Sequence, residues 1–298
     1  MTAISIDSTV SDDPTTSEGL GDEGAPLGVH SLVWKYFGDW RTALMIPAAG
    51  IMQLMLPGLG AGVTQHSQFF EEPLERVLRS IPPILGVVYD GPEAATTAAR
   101  VRDYHRDIKG ADADGRRYHA LDPEVYFWAH ATFIWSAMTM ADIFDHRLSD
   151  AEKQQMYEEG KSWYRRYGLS DRPMPEDWYA FRAYFDRMCA HRLVVTESAG
   201  WVVSRLDEPG TAARPPGVPE VVWRLLGPAF MHQYRLIAAG TVPPVLRERL
   251  GLTWGPAERR RFRMRVALIR RLWPLVPEPL RYQPRAWAGF VRERSAAR

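Results

Sequence analysis

The sequence predicts an all-α fold, a single multi-helix domain behind a short N-terminal tail. Three observations carry this. Apolar residues recur at helical spacing in segment after segment between Leu32 and Leu275. No convincing run of alternating apolar and polar residues is present, as half-buried strands would require. The 298 residues are 46% hydrophobic, enough to close a large core. No internal repeat is visible.

Residues 1–28 carry six acids and no base, and no apolar stretch of the kind an export signal needs. With Ser, Thr, Gly and Pro throughout, they are expected to form a disordered acidic tail, leaving 29–298 for the domain. A first helical pattern lies near Leu32 to Leu56. Between Ala43 and Val63 there is no charge, but Pro47, Gly50, Gln53, Pro57 and further glycines point to a buried, broken helix rather than a stable membrane span. A second pattern starts near Glu71 and meets Pro82-Pro83, which should end or kink it. A third is bounded by Gly91-Pro92 and Gly110, with Ala94, Ala98, Val101, His105 and Ile108 along its apolar face. A fourth runs from about Pro123 to Phe144. Ser149 followed by Glu152 is a capping box that opens a fifth, ending at Gly168. A sixth starts near Glu176, the Pro- and Gly-rich stretch 207–219 is the expected loop or linker, and two more patterns cover Val221 to Ala239 and Pro256 to Leu275.

The net charge of +1 excludes a global field that would draw the chain to nucleic acid or to a membrane. The bases are 33 Arg against 4 Lys, which points to GC-rich coding and a bacterial source. Fourteen of those arginines follow position 246, against four glutamates, making the C-terminal region basic and amphipathic. The single cysteine, Cys189, forbids an intrachain disulfide and a cysteine-based metal cluster; a buried, inert thiol in a reducing cytoplasm is expected.

The common catalytic signatures are absent. There is no G-x-S-x-G, no H-E-x-x-H, no Glu-x-x-His pair and no phosphate-binding Walker loop. What remains is histidine on apolar helix faces. His105 lies on the stripe described above, and His130 on another with Tyr126, Phe133, Ala137 and Phe144. Such an imidazole either satisfies a backbone carbonyl or binds something. Arg76, Arg79, Ser80 and Pro83 share a face of the second pattern, where a buried guanidinium would call for an anionic partner such as a propionate or a substrate oxyanion. Pairing with Glu71, Glu72 or Glu75 is the plainer alternative.

At these residues the chain resembles the family that includes the latex clearing proteins (rubber oxygenases) and the MpaB-type oxygenases. The matching stretches are GAGVTQHSQFFEEPLERVLRS at 60–80, VRDYHRDIKG at 101–110, YHALDPEVYFWAHATF at 118–133 and MPEDWYAFRAYFDRM at 174–188. The resemblance implies a globin-like helical core and a haem b whose iron takes one axial histidine. The ligand context V-R-x-x-H falls on His105. The family's distal Arg-x-x-Lys-Thr falls on Arg76, Arg79 and Ser80, so arginine replaces lysine and serine replaces threonine. Guanidinium is planar, permanently charged and a poor metal ligand, so Arg79 is expected to act on the oxidant rather than on iron. The His-Pro pair often found in the family's first long helix is Leu56-Pro57 here. Arg76 is expected to stabilise negative charge or anchor a propionate, and His130 to line the cofactor pocket.

The resulting expectation is a cytoplasmic haem-dependent oxygenase or oxidase that takes a small apolar metabolite, with dioxygen or peroxide as co-substrate, in a buried pocket. Polyisoprene does not suit a chain without an export signal. A haem- or ligand-binding helical protein without turnover is the alternative. A homo-oligomer is compatible with every feature above.

Overall fold

A computed structural model describes residues 27–208 and 214–298, and it is all-α. Most of the expected acidic tail at 1–28, and part of the expected loop at 207–219, lie outside the described residues. Leu27 already belongs to the core, at 6% exposure, so the packed body begins slightly before position 29.

The organising element is the 22-residue helix α6 (Pro123–Phe144). Asp122 caps it by accepting from the Glu124 N–H, and Pro123 fills the first-turn position where an N–H would be unsatisfied. It carries buried residues on every side, the mark of a helix surrounded by others. Around it stand α1 (Leu32–Phe37), the 3-10 turn Trp40–Met45, α2 (Ile46–Leu54), α7 (Asp150–Arg165) and α12 (Pro256–Leu272). Trp128 on α6 donates its indole N–H to the Met52 carbonyl of α2, and Glu159 of α7 accepts from the N–H groups of Leu32 and Val33, capping α1 from a neighbouring helix.

The uncharged stretch expected to be a buried broken helix is α2 followed by α3 (Pro57–His66), with a bend of 102° across the break. Among the described residues no single helix is long and apolar enough to cross a membrane. The capping box at Ser149 and Glu152 forms as expected, and Gly168 closes the segment with φ +64, in the left-handed region that suits glycine. Cys189 is buried, its thiol pushed up to about 12 by burial, so it stays protonated and unreactive.

The structure corrects the sequence in three places. Of the expected end or kink at Pro82-Pro83, the end does not occur: α4 (Pro73–Tyr89) runs through both prolines. Pro82 and Leu78, whose carbonyl loses its intrahelical donor, are exposed, so water can replace the missing bond. The third pattern ends early. Its helix α5 covers only Ala94–Asp103, and a small hairpin follows, β1 (Lys109–Ala111) paired antiparallel with β2 (Arg117–His119). The first pattern is divided into α1, a 3-10 turn and α2. Further helices are α8 (Trp178–Arg187), α9 (Glu197–Asp207), α10 (Glu220–Thr241), α11 (Pro244–Arg249), α13 (Glu278–Arg281) and α14 (Pro284–Ala296).

Between α6 and α7, His146 faces two carboxylates, Glu152 at 3.0 Å and Asp145 at 3.1 Å, which raise its pKa above 6.5. A raised folded-state value adds stability that is fully present below the unfolded pKa and is lost as pH climbs through the folded one. Thermal stability should therefore step down slightly as pH rises through and beyond neutrality, and His146→Gln should flatten that step. Superimposable melting profiles for the two proteins across this window would contradict the assignment. The effect is small because the imidazole is half-exposed.

Candidate functional site

His105 sits on the turn just after α5, not inside the helix as its spacing predicted. Its Nδ1 lies 2.8 Å from the Val101 carbonyl oxygen. A carbonyl can only accept, so Nδ1 carries the proton and Nε2 keeps its lone pair. Among the described residues Nε2 has no hydrogen-bond partner. Burial, opposed by the Val101 bond and assisted by the Arg76 charge, lowers the ring's pKa and holds it neutral. The Tyr126 ring of α6 meets the imidazole edge-on at 5.6 Å and fixes its plane. A neutral imidazole, oriented by its second nitrogen and presenting a free lone pair, is the arrangement a metal-binding histidine requires.

Arg76 stands on the first half of α4, within electrostatic reach of His105. Its guanidinium lies over the Phe69 ring at 5.6 Å, and no carboxylate among the described residues pairs with it. Burial and the Arg79 charge both lower its pKa. Phe69 packs against Phe70 and against Trp201 of α9, at centroid distances of 5.4 and 5.3 Å. Over Trp201, at 5.1 Å, lies a second guanidinium, that of Arg205, whose Nε is buried without a hydrogen-bond partner among the described residues. Two arginines without counter-ions thus border one aromatic cluster, a setting that suits the carboxylates of an otherwise apolar ligand.

The sequence does not single out Arg205, Trp201, Phe69 or Phe70. The available signal is the i, i+4 spacing of Trp201 and Arg205, common on surface helices and uninformative until α9 is placed beside the 69–70 turn.

The other candidates lie apart from His105. Arg79 points to solvent, with its side chain 66% exposed and paired with Glu72 at 3.4 Å. Ser80 is exposed and donates its hydroxyl back to the Arg76 carbonyl at 2.8 Å. Of the three expected distal residues, this conformation brings Arg76 alone toward His105. The helical turn explains it: Arg76 is tilted onto Phe69, whereas Arg79, one turn on, finds an acidic neighbour in Glu72.

His130 lies one layer deeper than expected. It is 1% exposed and enclosed by Trp163, Tyr164 and Tyr167, with Tyr126 between this group and His105. Its Nε2 donates to the Gly160 carbonyl at 2.9 Å, and burial lowers its pKa to about 4, so it is a neutral core residue. Gly160 makes this possible, since a Cβ there would come within 2.6 Å of Ile134 and push α7 away from α6. A ring so enclosed lies behind the Tyr126 layer, and its Nδ1 is buried without a hydrogen-bond partner among the described residues.

Arg76→Ala should reduce turnover by about a hundredfold, the scale for loss of one preorganised cationic donor. Arg79→Ala should change it by less than about fivefold, the value of an exposed ion pair. Equal losses in the two variants would show that Arg79 swings inward during the reaction.

A family profile described as "ER-bound oxygenase mpaB/B'/Rubber oxygenase, catalytic domain" matches residues 34–271. The chain is also similar to an uncharacterised protein of Mycobacterium tuberculosis and to another of Mycobacterium bovis. Each is 26% identical over 255 residues, which is 82% of this chain and 91% of the relative. No solved structure matches significantly.

Proposed function

Because this chain belongs to the mpaB/rubber oxygenase catalytic-domain family, we propose that it is a haem-dependent oxygenase acting on a small apolar metabolite. The family is one of oxygenases, which makes the chain an enzyme of oxidoreductase type; the haem, the substrate class and the roles of individual residues are the reading offered here. The observation that carries it is the His105 imidazole, with Nδ1–H held by Val101 and Nε2 left free.

The donor set fits haem b. His105 Nε2 would take the iron, while Arg205, which has no carboxylate partner among the described residues, would receive a propionate. Bound there, haem supplies the iron centre at which dioxygen or peroxide reacts. The chain's own contributions are to hold and to exclude. Val101 and Tyr126 fix the His105 plane, and Phe69, Phe70 and Trp201 provide apolar contact for a substrate and keep water away. Arg76 adds permanent positive charge beside the reacting atoms. The lone buried thiol is consistent with a reducing cytoplasm, where we place the enzyme.

The test uses the haem-loaded chain with a panel of unsaturated lipid-like compounds under isotopically labelled dioxygen. Label should enter the product of at least one compound. Normal haem binding with label absent from every product would favour a haem carrier instead.

A further inference from the structure

On the side formed by α10 and α12 the protein shows a surface unlike the rest. From Val221 to Phe230, the first half of α10, Gly227 alone is buried. Val221 is 67% exposed, Leu225 73% and Leu226 62%. Asp207 at the end of α9 pairs with Arg235, so the earlier turns of α10 run on past α9. Apolar side chains project there on more than one face, which no single packed helix would cover.

α12 lies alongside. Phe262, Val266 and Ile269 face the core, while the opposite face exposes Met264, Leu268 and Leu272. Met264 and Leu268 meet Leu236 and His232 of α10 across a groove of about 550 Å³ rimmed by Arg261 and Arg265. On α10, Val222, Leu225, Ala229, His232 and Leu236 follow at i, i+3, i+7, i+10 and i+14, so the groove's apolar floor continues along the projecting half. The 17 residues of α12 contain seven arginines and one glutamate. Arg260, Arg263 and Arg271 are exposed and make no hydrogen bond or ion pair among the described residues.

We propose that the α10–α12 face is a docking surface for an anionic lipid bilayer, with the first half of α10 and the Met264–Leu268–Leu272 row entering the headgroup boundary and the α12 arginines meeting the lipid phosphates. Charge decides among occupants. A second copy of this face would bring the exposed Arg260, Arg263 and Arg271 of each copy against one another with no acid among them. A neutral apolar partner would leave them uncompensated. An anionic bilayer satisfies the apolar and the cationic parts together. The proposal does not depend on the haem reading.

The test is co-sedimentation of the full-length chain with vesicles of phosphatidylcholine alone or mixed with phosphatidylglycerol. Binding should occur to the mixed vesicles, fall with added salt, and weaken about a hundredfold in R260Q/R263Q/R271Q, from roughly fivefold per arginine near a charged surface. L225S/L268S should also weaken it, with the melting temperature unchanged because both side chains are exposed. Several results would overturn the proposal: equal binding to both vesicle types, binding unaffected by the triple substitution, or no binding to the mixed vesicles. So would an L225S/L268S-sensitive dimer in place of vesicle binding, or binding seen only after residues 1–26 are removed, which would make the chain's own acidic segment the occupant.

Discussion

His105→Ala is expected to purify folded and without stoichiometric haem, with added imidazole restoring part of the binding. The side chain sits on a turn after α5, contacts Tyr126 at the edge and has no partner at Nε2 among the described residues, so its removal leaves the helix packing nearly untouched. The loss falls on the cofactor because Tyr126 stands between His105 and the other buried imidazole, His130, whose Nδ1 is also unpartnered among the described residues. His130 is committed to the Gly160 carbonyl inside the aromatic layer. His130→Ala should accordingly keep its haem and lose stability, by about 2–4 kcal/mol for a buried ring removed from a well-packed site. Haem content by pyridine haemochrome, read beside thermal melting, separates the two. A His105→Ala protein that stays red with an unaltered spectrum, beside a colourless His130→Ala protein, would reverse the assignment.

Asp39→Ala is expected to cost about 3 kcal/mol or more of stability, the scale for breaking a buried ion pair. The Asp39 carboxylate is buried with Arg41, accepting from its backbone N–H at 2.7 Å and its guanidinium at 2.8 Å, and from the Trp273 indole at 3.1 Å. Removal leaves a buried guanidinium with Asp145 and the Phe144 carbonyl as its remaining partners. It also releases Trp273, and with it one of the ties between the C-terminal helices and the body; others include the Gln283 N–H bond to the Gly38 carbonyl, the Arg285–Asp90 ion pair and the Arg292 bond to the Tyr89 carbonyl. Asp39→Asn, which keeps the shape and one acceptor, should lose less. A change within about 0.5 kcal/mol for Asp39→Ala, as for an ordinary surface site, would contradict the network's importance.

Much of this fold is legible in the sequence because its strongest signals are local. The capping box at Ser149 is a chemical instruction read within one turn, and α7 begins where it says; α6 begins at the expected Pro123. Pro82-Pro83 misleads for the same reason. A local rule cannot know that the helix face carrying the freed carbonyls would meet water. His105 is legible as a residue and not as a position. The stripe Ala94–Ala98–Val101 continues to it arithmetically, but the helix ends at Asp103 and the turn, not the helix, aims the ring. Arg205 escapes altogether, because its meaning comes from α9 lying against Phe69 and Phe70, a contact across more than a hundred residues that no spacing encodes.

The most direct test of the central claim is the visible absorption spectrum of the purified chain, with haem titration of any apo fraction. The expected result is a Soret band and one haem b per chain, saturating sharply, with His105→Ala failing to saturate under the same conditions. A colourless protein that takes up no haem on reconstitution, while melting cooperatively, would contradict it and leave the free Nε2 of His105 without its assigned partner.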